Sequence, residues 1–306
     1  MRALVVDSSA PGRIVLHDVP EPVLVPDEAL VEVKAISLNR GELRALGSVA
    51  DGSRPGWDFA GILLTDTEIG LKAGTRVVGI RSGQAWAEKV AVSQTWLAEL
   101  PDDVSFAQAA ALPTAGLTAL RILRLGPAIL GRRVLVTGAS GGVGRFAVQL
   151  AHLGGAEVTA FVSDNSLRAT GLQELGADEV VSDIAQLRGR FDLILESVGG
   201  ETLAHLMKMV DPLGTLVMFG NSSNNLTTFN VRDLYLDALI RFQGFELFYG
   251  GEPFGRDLGY LVRLVANGKL MTQLAGELSW EQMSEALQRL SNRDVAGKLV
   301  LTVGST

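Results

Sequence analysis

The 306 residues include no cysteine. That absence excludes disulfides, a thiolate nucleophile, iron–sulfur clusters and any cysteine-ligated zinc. Histidine is nearly as scarce. His17, His152 and His205 lie far apart and form neither an HxH nor an HExxH spacing. No stretch reaches the ~18 uninterrupted apolar residues of a membrane-spanning helix, and the apolar run Ala3–Val6 is too short for a secretory leader. The expected location is therefore cytoplasmic, with no membrane partner. An excess of positive charge is also missing: 27 basic residues face 34 acidic ones, a net charge of −7. Such a balance argues against a protein that tracks nucleic-acid phosphates and suits one that handles a small neutral substrate. What is present is a hydrophobic content of 47% with 20% charged residues, which excludes a disordered chain. At ~150 residues per domain the length allows about two domains.

Residues 1–115 read as β-rich. Ala3–Val6, Ala29–Ala35, Gly61–Leu64, Arg76–Ile80 and Glu88–Val92 are short runs separated by Gly, Pro and Asp turns. Pro20, Pro22 and Pro26 crowd the first connection and bar a helix there. Over 105–125, apolar residues recur at helical spacing, with Pro113 dividing two helices. From Arg132 the pattern becomes strand, glycine turn, helix, repeated. Strand runs fall at Val134–Thr137, Val158–Val162, Glu179–Val181, Leu193–Leu195, Thr215–Phe219 and Phe242–Leu247, with helices at Val143–Leu153, Ser166–Leu175 and Glu201–Val210. Continuous apolar strands alternating with helices specify a parallel sheet buried on both faces, and six strands make a complete dinucleotide-type domain. Leu258–Ala266 and Trp280–Leu290 then read as amphipathic helices and Lys298–Val303 as a closing strand.

The loop Gly138-Ala139-Ser140-Gly141-Gly142-Val143-Gly144 follows a strand and opens a helix. In a GxGxxG frame Ala139 takes the first glycine position, Gly141 the second and Gly144 the third. The three positions serve a tight turn, approach of backbone to a pyrophosphate, and close helix–strand packing. The helix start offers N–H groups and partial positive charge to phosphates. A nicotinamide dinucleotide is the cofactor this implies. At the end of the second strand, where an NAD enzyme places an acid, stands Ser163, with Arg168 five residues on. Hydroxyl plus guanidinium suits the 2′-phosphate of NADPH. Asp164 would instead serve the ribose hydroxyl of NAD if the strand ended one residue later.

Five further segments carry a resemblance. Asn39-Arg-Gly-Glu42, Pro55-Gly-Trp-Asp58-Phe-Ala-Gly61, Ala109-Ala-Ala-Leu-Pro113 with Gly116-Leu-Thr118-Ala119, Glu196-Ser-Val198-Gly-Gly200 and Gly297-Lys298-Leu-Val-Leu301 occur in that order. They resemble the N-R-A-D, P-G-x-D-x-A-G, A-A-L-P…G-L-T-A, D-x-V-G-G and G-K-x-V-L elements of the medium-chain dehydrogenase/reductase superfamily. Within it the chain is similar to the zinc-independent, zeta-crystallin-like quinone oxidoreductases. The resemblance implies an α/β protein in two domains. A GroES-like β-rich catalytic domain would span 1–115, a Rossmann domain with a doubly wound six-stranded parallel sheet 116–252, and residues 253–306 would return to complete the first. It implies transfer of a hydride from NADPH to a quinone or α,β-unsaturated carbonyl, and a homodimer joined at the outermost strand, Phe242–Phe248.

Zinc-dependent relatives place ligands where Asn39, Trp57 and, by rough alignment, Ala111 stand; these are not a competent set. A quinone or enone carries its own electron sink and needs no Lewis acid. By the resemblance Asn39 faces the nicotinamide and is the expected catalytic polar group, offering its amide N–H₂ to the acceptor. Thr118, Val198, Gly220 and Asn221 border the cofactor. Thr118 has a helix back-bond as its competing role and Asn39 a loop-capping one. Trp57 and Trp86 would wall a flat pocket or simply fill the core. A tyrosine proton donor is missing from both familiar places, leaving Tyr249, Tyr260 or water. The alternative to a reductase is a non-catalytic NADPH-binding redox sensor or crystallin-like structural protein.

Overall fold

The computed structural model describes residues 1–163, 169–235, 239–251 and 253–304. In chain order the elements are β1 (Arg2–Val6), β2 (Ile14–Asp18), β3 (Glu28–Ser37), α1 (Arg40–Leu46), β4 (Asp58–Leu63), β5 (Arg76–Ile80), β6 (Lys89–Ser93), β7 (Leu97–Glu99), α2 (Phe106–Ala110) and α3 (Pro113–Arg124). There follow β8 (Arg133–Thr137), α4 (Gly142–Leu153), β9 (Glu157–Phe161), β10 (Glu179–Val181), β11 (Phe191–Glu196), α5 (Gly200–Leu206), β12 (Val210–Met218) and β13 (Arg241–Gly244). The remaining elements are α6 (Gly255–Ala266), β14 (Leu274–Ser279), α7 (Met283–Ser291) and β15 (Lys298–Thr302). They form two compact units. One comprises Met1–Leu117 with Phe248–Thr306, the other Thr118–Leu247. No helix among the described residues is long and apolar enough to cross a membrane.

The first unit holds a seven-stranded sheet, β14-β15-β3-β4-β5-β7 with β6 also on β3, and the hairpin β1–β2. β3 organises it. Ala29, Val31, Val33 and Ala35 point inward while Glu28, Leu30, Glu32 and Lys34 are partly exposed, the period-two signature of a half-buried strand. At Ile36 and Ser37 both faces become buried, because β15 and β4 flank β3 there. Val31, Ile36, Phe59, Trp86, Trp280 and Leu301 belong to the core of this unit. The second unit is a six-stranded parallel sheet of order β10-β9-β8-β11-β12-β13. Its strand order reverses between β8 and β11, and ligands of such sheets bind beyond the carboxyl ends at that point.

Three strands lack the pattern that sequence reading relies on. β2 buries only Ile14, β7 has three residues, and β14 buries none of its side chains. Their pairing comes from neighbours, not from their own alternation. β12 begins at Val210, earlier than its apolar run suggests, and α5 ends at Leu206 in a short 3-10 turn, Met207–Met209. β13 stops at Gly244, short of the run to Leu247. The helix expected over 166–175 falls partly outside the described residues.

Candidate active site

At the carboxyl end of β8 the chain turns at Gly138, whose φ of +59° suits glycine, and a Cβ there would lie 2.7 Å from Ser197 Oγ. Ala139 N–H donates to the Phe161 carbonyl, and Gly141 N–H to that of Gly138. A Cβ on Gly144 would come within 2.4 Å of the Gly138 carbonyl oxygen and 2.6 Å of Ala139 Cα. Gly144 therefore lets the start of α4 press against the turn. Gly141 caps α4 without a side-chain bond, and Arg145 N–H makes a bond back to Gly141. The N–H groups of Gly142, Val143 and Gly144 precede that bond and have no partner within the helix. Ser140, Gly141, Gly142 and Val143 are all partly exposed. This is the geometry of a phosphate cradle.

Two more loops converge beside it. Glu196 closes β11 fully buried, and its carboxylate accepts from the N–H groups of Val198 and Gly199 and from Thr137 Oγ. Burial pushes its carboxyl above the ordinary range against the pull of those donors. Ser223 N–H donates to the Val198 carbonyl. A Cβ on Gly199 would meet Asn221 Oδ1 at 2.3 Å, and one on Gly220 would meet Ser197 Cβ at 3.2 Å. Gly138, Val198, Gly220 and Asn221 thus gather at the carboxyl ends of β8, β11 and β12. Ser163 is exposed just after β9, Thr118 is buried in α3, and Arg168 and Asp164 lie outside the described residues. Sequence reasoning passed over Arg145, buried in α4, which donates to the carbonyls of Ser140 and Thr170 and ties the turn to the chain beyond β9.

In the first unit Asn39 caps α1 and belongs to a buried polar network. The register of β3 against β4 and β15 builds it: Ser37 faces Asp58 and Val300, which carries Lys298 to the level of Asn39. Lys298 Nζ donates to the Leu38 carbonyl (2.9 Å), to Asn39 Oδ1, and to Asp58 Oδ2 (3.3 Å). Asp58 also accepts from Ser37 Oγ and Asn39 Nδ2, each at 2.8 Å, and from the N–H and hydroxyl of Thr114. Glu42 accepts from the N–H of Asn39 (2.7 Å), from Asn39 Nδ2 (3.2 Å) and from the N–H of Trp57 (2.6 Å). Burial, reinforced by the Asp58 charge, pushes the Glu42 carboxyl up to about 8, against the pull of Lys298 and the two backbone donors.

The Asn39 amide is consequently committed at both ends. Its N–H₂ group points at two carboxylates, so the expectation that it offers free hydrogens to an acceptor does not fit this geometry. Asp58, Glu42 and Lys298 were visible only as parts of motifs. The one local signal was an Asn followed three residues later by a Glu, the pattern of a capping box. Trp57 lies over Gly41 in α1, where a Cβ would be 2.4 Å from the ring, and packs edge-on to Phe248 at 5.5 Å. Trp96 and Phe254 extend this aromatic cluster. Trp86, only 1% exposed, belongs to the core. Tyr249 and Tyr260 are both exposed.

Comparison with known proteins places this architecture. The zinc-binding dehydrogenase family profile matches residues 175–301. The chloroplastic quinone-oxidoreductase QR1 of Triphysaria versicolor is 30% identical over 98% of this chain and 98% of its own. The chain belongs to the quinone oxidoreductase-like family of medium-chain dehydrogenases/reductases. A quinone oxidoreductase of Coxiella burnetii, which is 26% identical, shares this family's fold with a TM-score of 0.85 over 99% of both chains. The spectinabilin polyketide synthase system protein NorB of Streptomyces orinoci is 32% identical, but the chain spans only 14% of its length. The family profile's zinc does not fit this donor set. Trp57 and Ala111 offer no ligand atom, and Asn39 Oδ1 is held by the Lys298 ammonium. Among the described residues no three His, Cys, Asp or Glu side chains are grouped to hold a metal.

Proposed function

We propose that the chain is a zinc-independent NADPH-dependent reductase of quinones or α,β-unsaturated carbonyl compounds. The observation that carries this reading is the convergence of the Gly138–Gly144 turn with the Val198 and Gly220–Asn221 loops beyond the strands. When bound, the cofactor supplies a hydride to an electron-poor acceptor, and water supplies the completing proton. The chain's own residues do the binding and holding. Gly142, Val143 and Gly144 present N–H groups to the phosphates. Ser163, with Arg168, favours a 2′-phosphate. Thr118, Val198, Gly220 and Asn221 border the nicotinamide.

Asn39 serves this reading as a positioning group. Through Glu42 it fixes the backbone of Trp57, whose ring and Phe248 give a planar acceptor an apolar wall. A second copy of the chain pairs along β13 to form a homodimer, and the acceptor is a small molecule, with no nucleic-acid partner. The test is NADPH oxidation followed by absorbance across quinones, enals and enones, before and after exhaustive chelation. Turnover that survives chelation is expected. Absence of turnover with every acceptor, despite NADPH binding, would overturn the reading in favour of a non-catalytic sensor or structural protein.

A further inference from the structure

The segment leading to Trp57 is held as a ladder against Arg81–Trp86. Gln84 N–H donates to the Arg54 carbonyl at 2.9 Å, Ala85 N–H to that of Gly56 at 3.1 Å, and Arg81 N–H to that of Trp57 at 2.8 Å. Val6 N–H fixes the Ser53 carbonyl one residue earlier. The backbone of Arg54 is therefore pinned, while its side chain has nothing to hold. Among the described residues its guanidinium makes no hydrogen bond and no ion pair, and its Nε is buried without a partner.

The contrast with other sheltered cations is sharp. Lys298 has three acceptors, and Arg76 donates to the carbonyls of Pro101 and Val104. Arg54 faces a like charge instead. Arg81, just past the end of β5, donates to the Ala91 carbonyl and has no carboxylate partner among the described residues. Burial first, and the Arg81 charge second, pull the Arg54 guanidinium below the usual arginine range. A sheltered guanidinium that feels a second positive charge and has no anion bonded to it among the described residues is costly to keep unless something negative completes it.

Their position says what that partner is for. Arg54 precedes the Pro55-Gly56-Trp57 turn and Arg81 is bonded to its end, so the pair brackets the aromatic residue that walls the acceptor. We propose that Arg54, with Arg81 beside it, is an anion-recognition point that holds a carboxylate carried by the acceptor. The guanidinium fork matches the two oxygens of a carboxylate. A single negative charge is also easier than a polyanion for a chain of net charge −7 to admit. This deepens the reductase reading and rests on it. It also replaces the neutral substrate suggested by overall charge with an acidic one.

The experiment compares two acceptors on one skeleton, 4-oxo-4-phenylbut-2-enoate and its methyl ester, in wild type, Arg54→Gln and Arg54→Lys. Comparing the acid-over-ester ratio of kcat/KM between wild type and variant cancels the intrinsic reactivity of each acceptor. Loss of one charge-assisted contact should lower that ratio about tenfold to a hundredfold in Arg54→Gln. Arg54→Lys keeps a point charge without the fork and should fall between, a safeguard should the glutamine variant fold poorly. In parallel, calorimetry with the saturated acid 4-oxo-4-phenylbutanoate reads anion binding without turnover, and its Kd should rise by a similar factor. An unchanged ratio with an unchanged Kd overturns the proposal. Weakened binding of the saturated acid in a protein that reduces neither acceptor would keep the anion site and discard the reductase reading.

Discussion

Lys298 is the residue on which the buried network balances. Among the described residues its ammonium is the only cation bonded to Asp58, and both side chains are almost wholly buried. Replacing one member of such a pair strands the other charge, at a cost of ~3–5 kcal/mol. Lys298→Met should lower the urea-unfolding free energy by about that amount. The double variant Lys298→Met/Asp58→Asn should lose less than the two single losses added together, because neither charge is then stranded. Glu42 makes a separate prediction about pH. Its folded value of about 8 lies above the ordinary ~4.3 of an unfolded glutamate. Between those values the unfolded chain releases a proton that the folded chain keeps, so Glu42 makes stability fall as pH rises, by at most ~1.4 kcal/mol per unit. Denaturation curves from pH 5 to 8 should show this slope in the wild type and a flatter one in Glu42→Gln. An equal slope in both would remove Glu42 as its source. Part of this was legible in the sequence: Asn39 stood out as a polar residue in a telling motif. Its distant partners did not, because a contact between residues 259 apart in the chain, such as Asn39 with Lys298, leaves no local trace.

At the scale of elements, the turn between β8 and α4 separates two roles of glycine. Gly144→Ala forces a methyl group against the Gly138 carbonyl and Ala139, so α4 must move away from the turn. Overpacking of this kind costs ~1–3 kcal/mol, and a thermal melt should show it. Among the described residues a Cβ on Gly141 meets only the Gly138 carbonyl, at 3.3 Å. On the proposed function, Gly141→Ala should therefore melt near the wild type yet lose NADPH affinity in a fluorescence titration, the methyl group then standing in the phosphate approach. If both variants lose stability equally and bind normally, the division of labour is wrong. The strand–glycine–helix repeat made β8, α4 and β9 readable because each is apolar throughout or strictly periodic. β2, β7 and β14 carry no such pattern, and their existence depends on the strands beside them.

For the whole molecule, the proposed homodimer rests on β13, the outer strand of the parallel sheet. All four of its residues are exposed, Phe242 by 42%. An uncovered edge with an apolar side chain invites pairing. Sedimentation should give twice the 32.5 kDa chain mass, and Phe242→Lys should shift it toward the monomer. A wild-type monomer at micromolar concentration would refute the pairing. The order of the chain has a further consequence, for synthesis. The unit Thr118–Leu247 is continuous and can fold once Leu247 has emerged from the ribosome. The other unit must wait. Asp58 and Lys298 are 240 residues apart, an interval of roughly 12–48 s at ~5–20 residues per second. Throughout that time the carboxylates of Asp58 and Glu42 stand without their cation and keep their water. The half-made unit stays open while its neighbour closes, and β15, arriving last, dehydrates the acidic centre and seals it in one step.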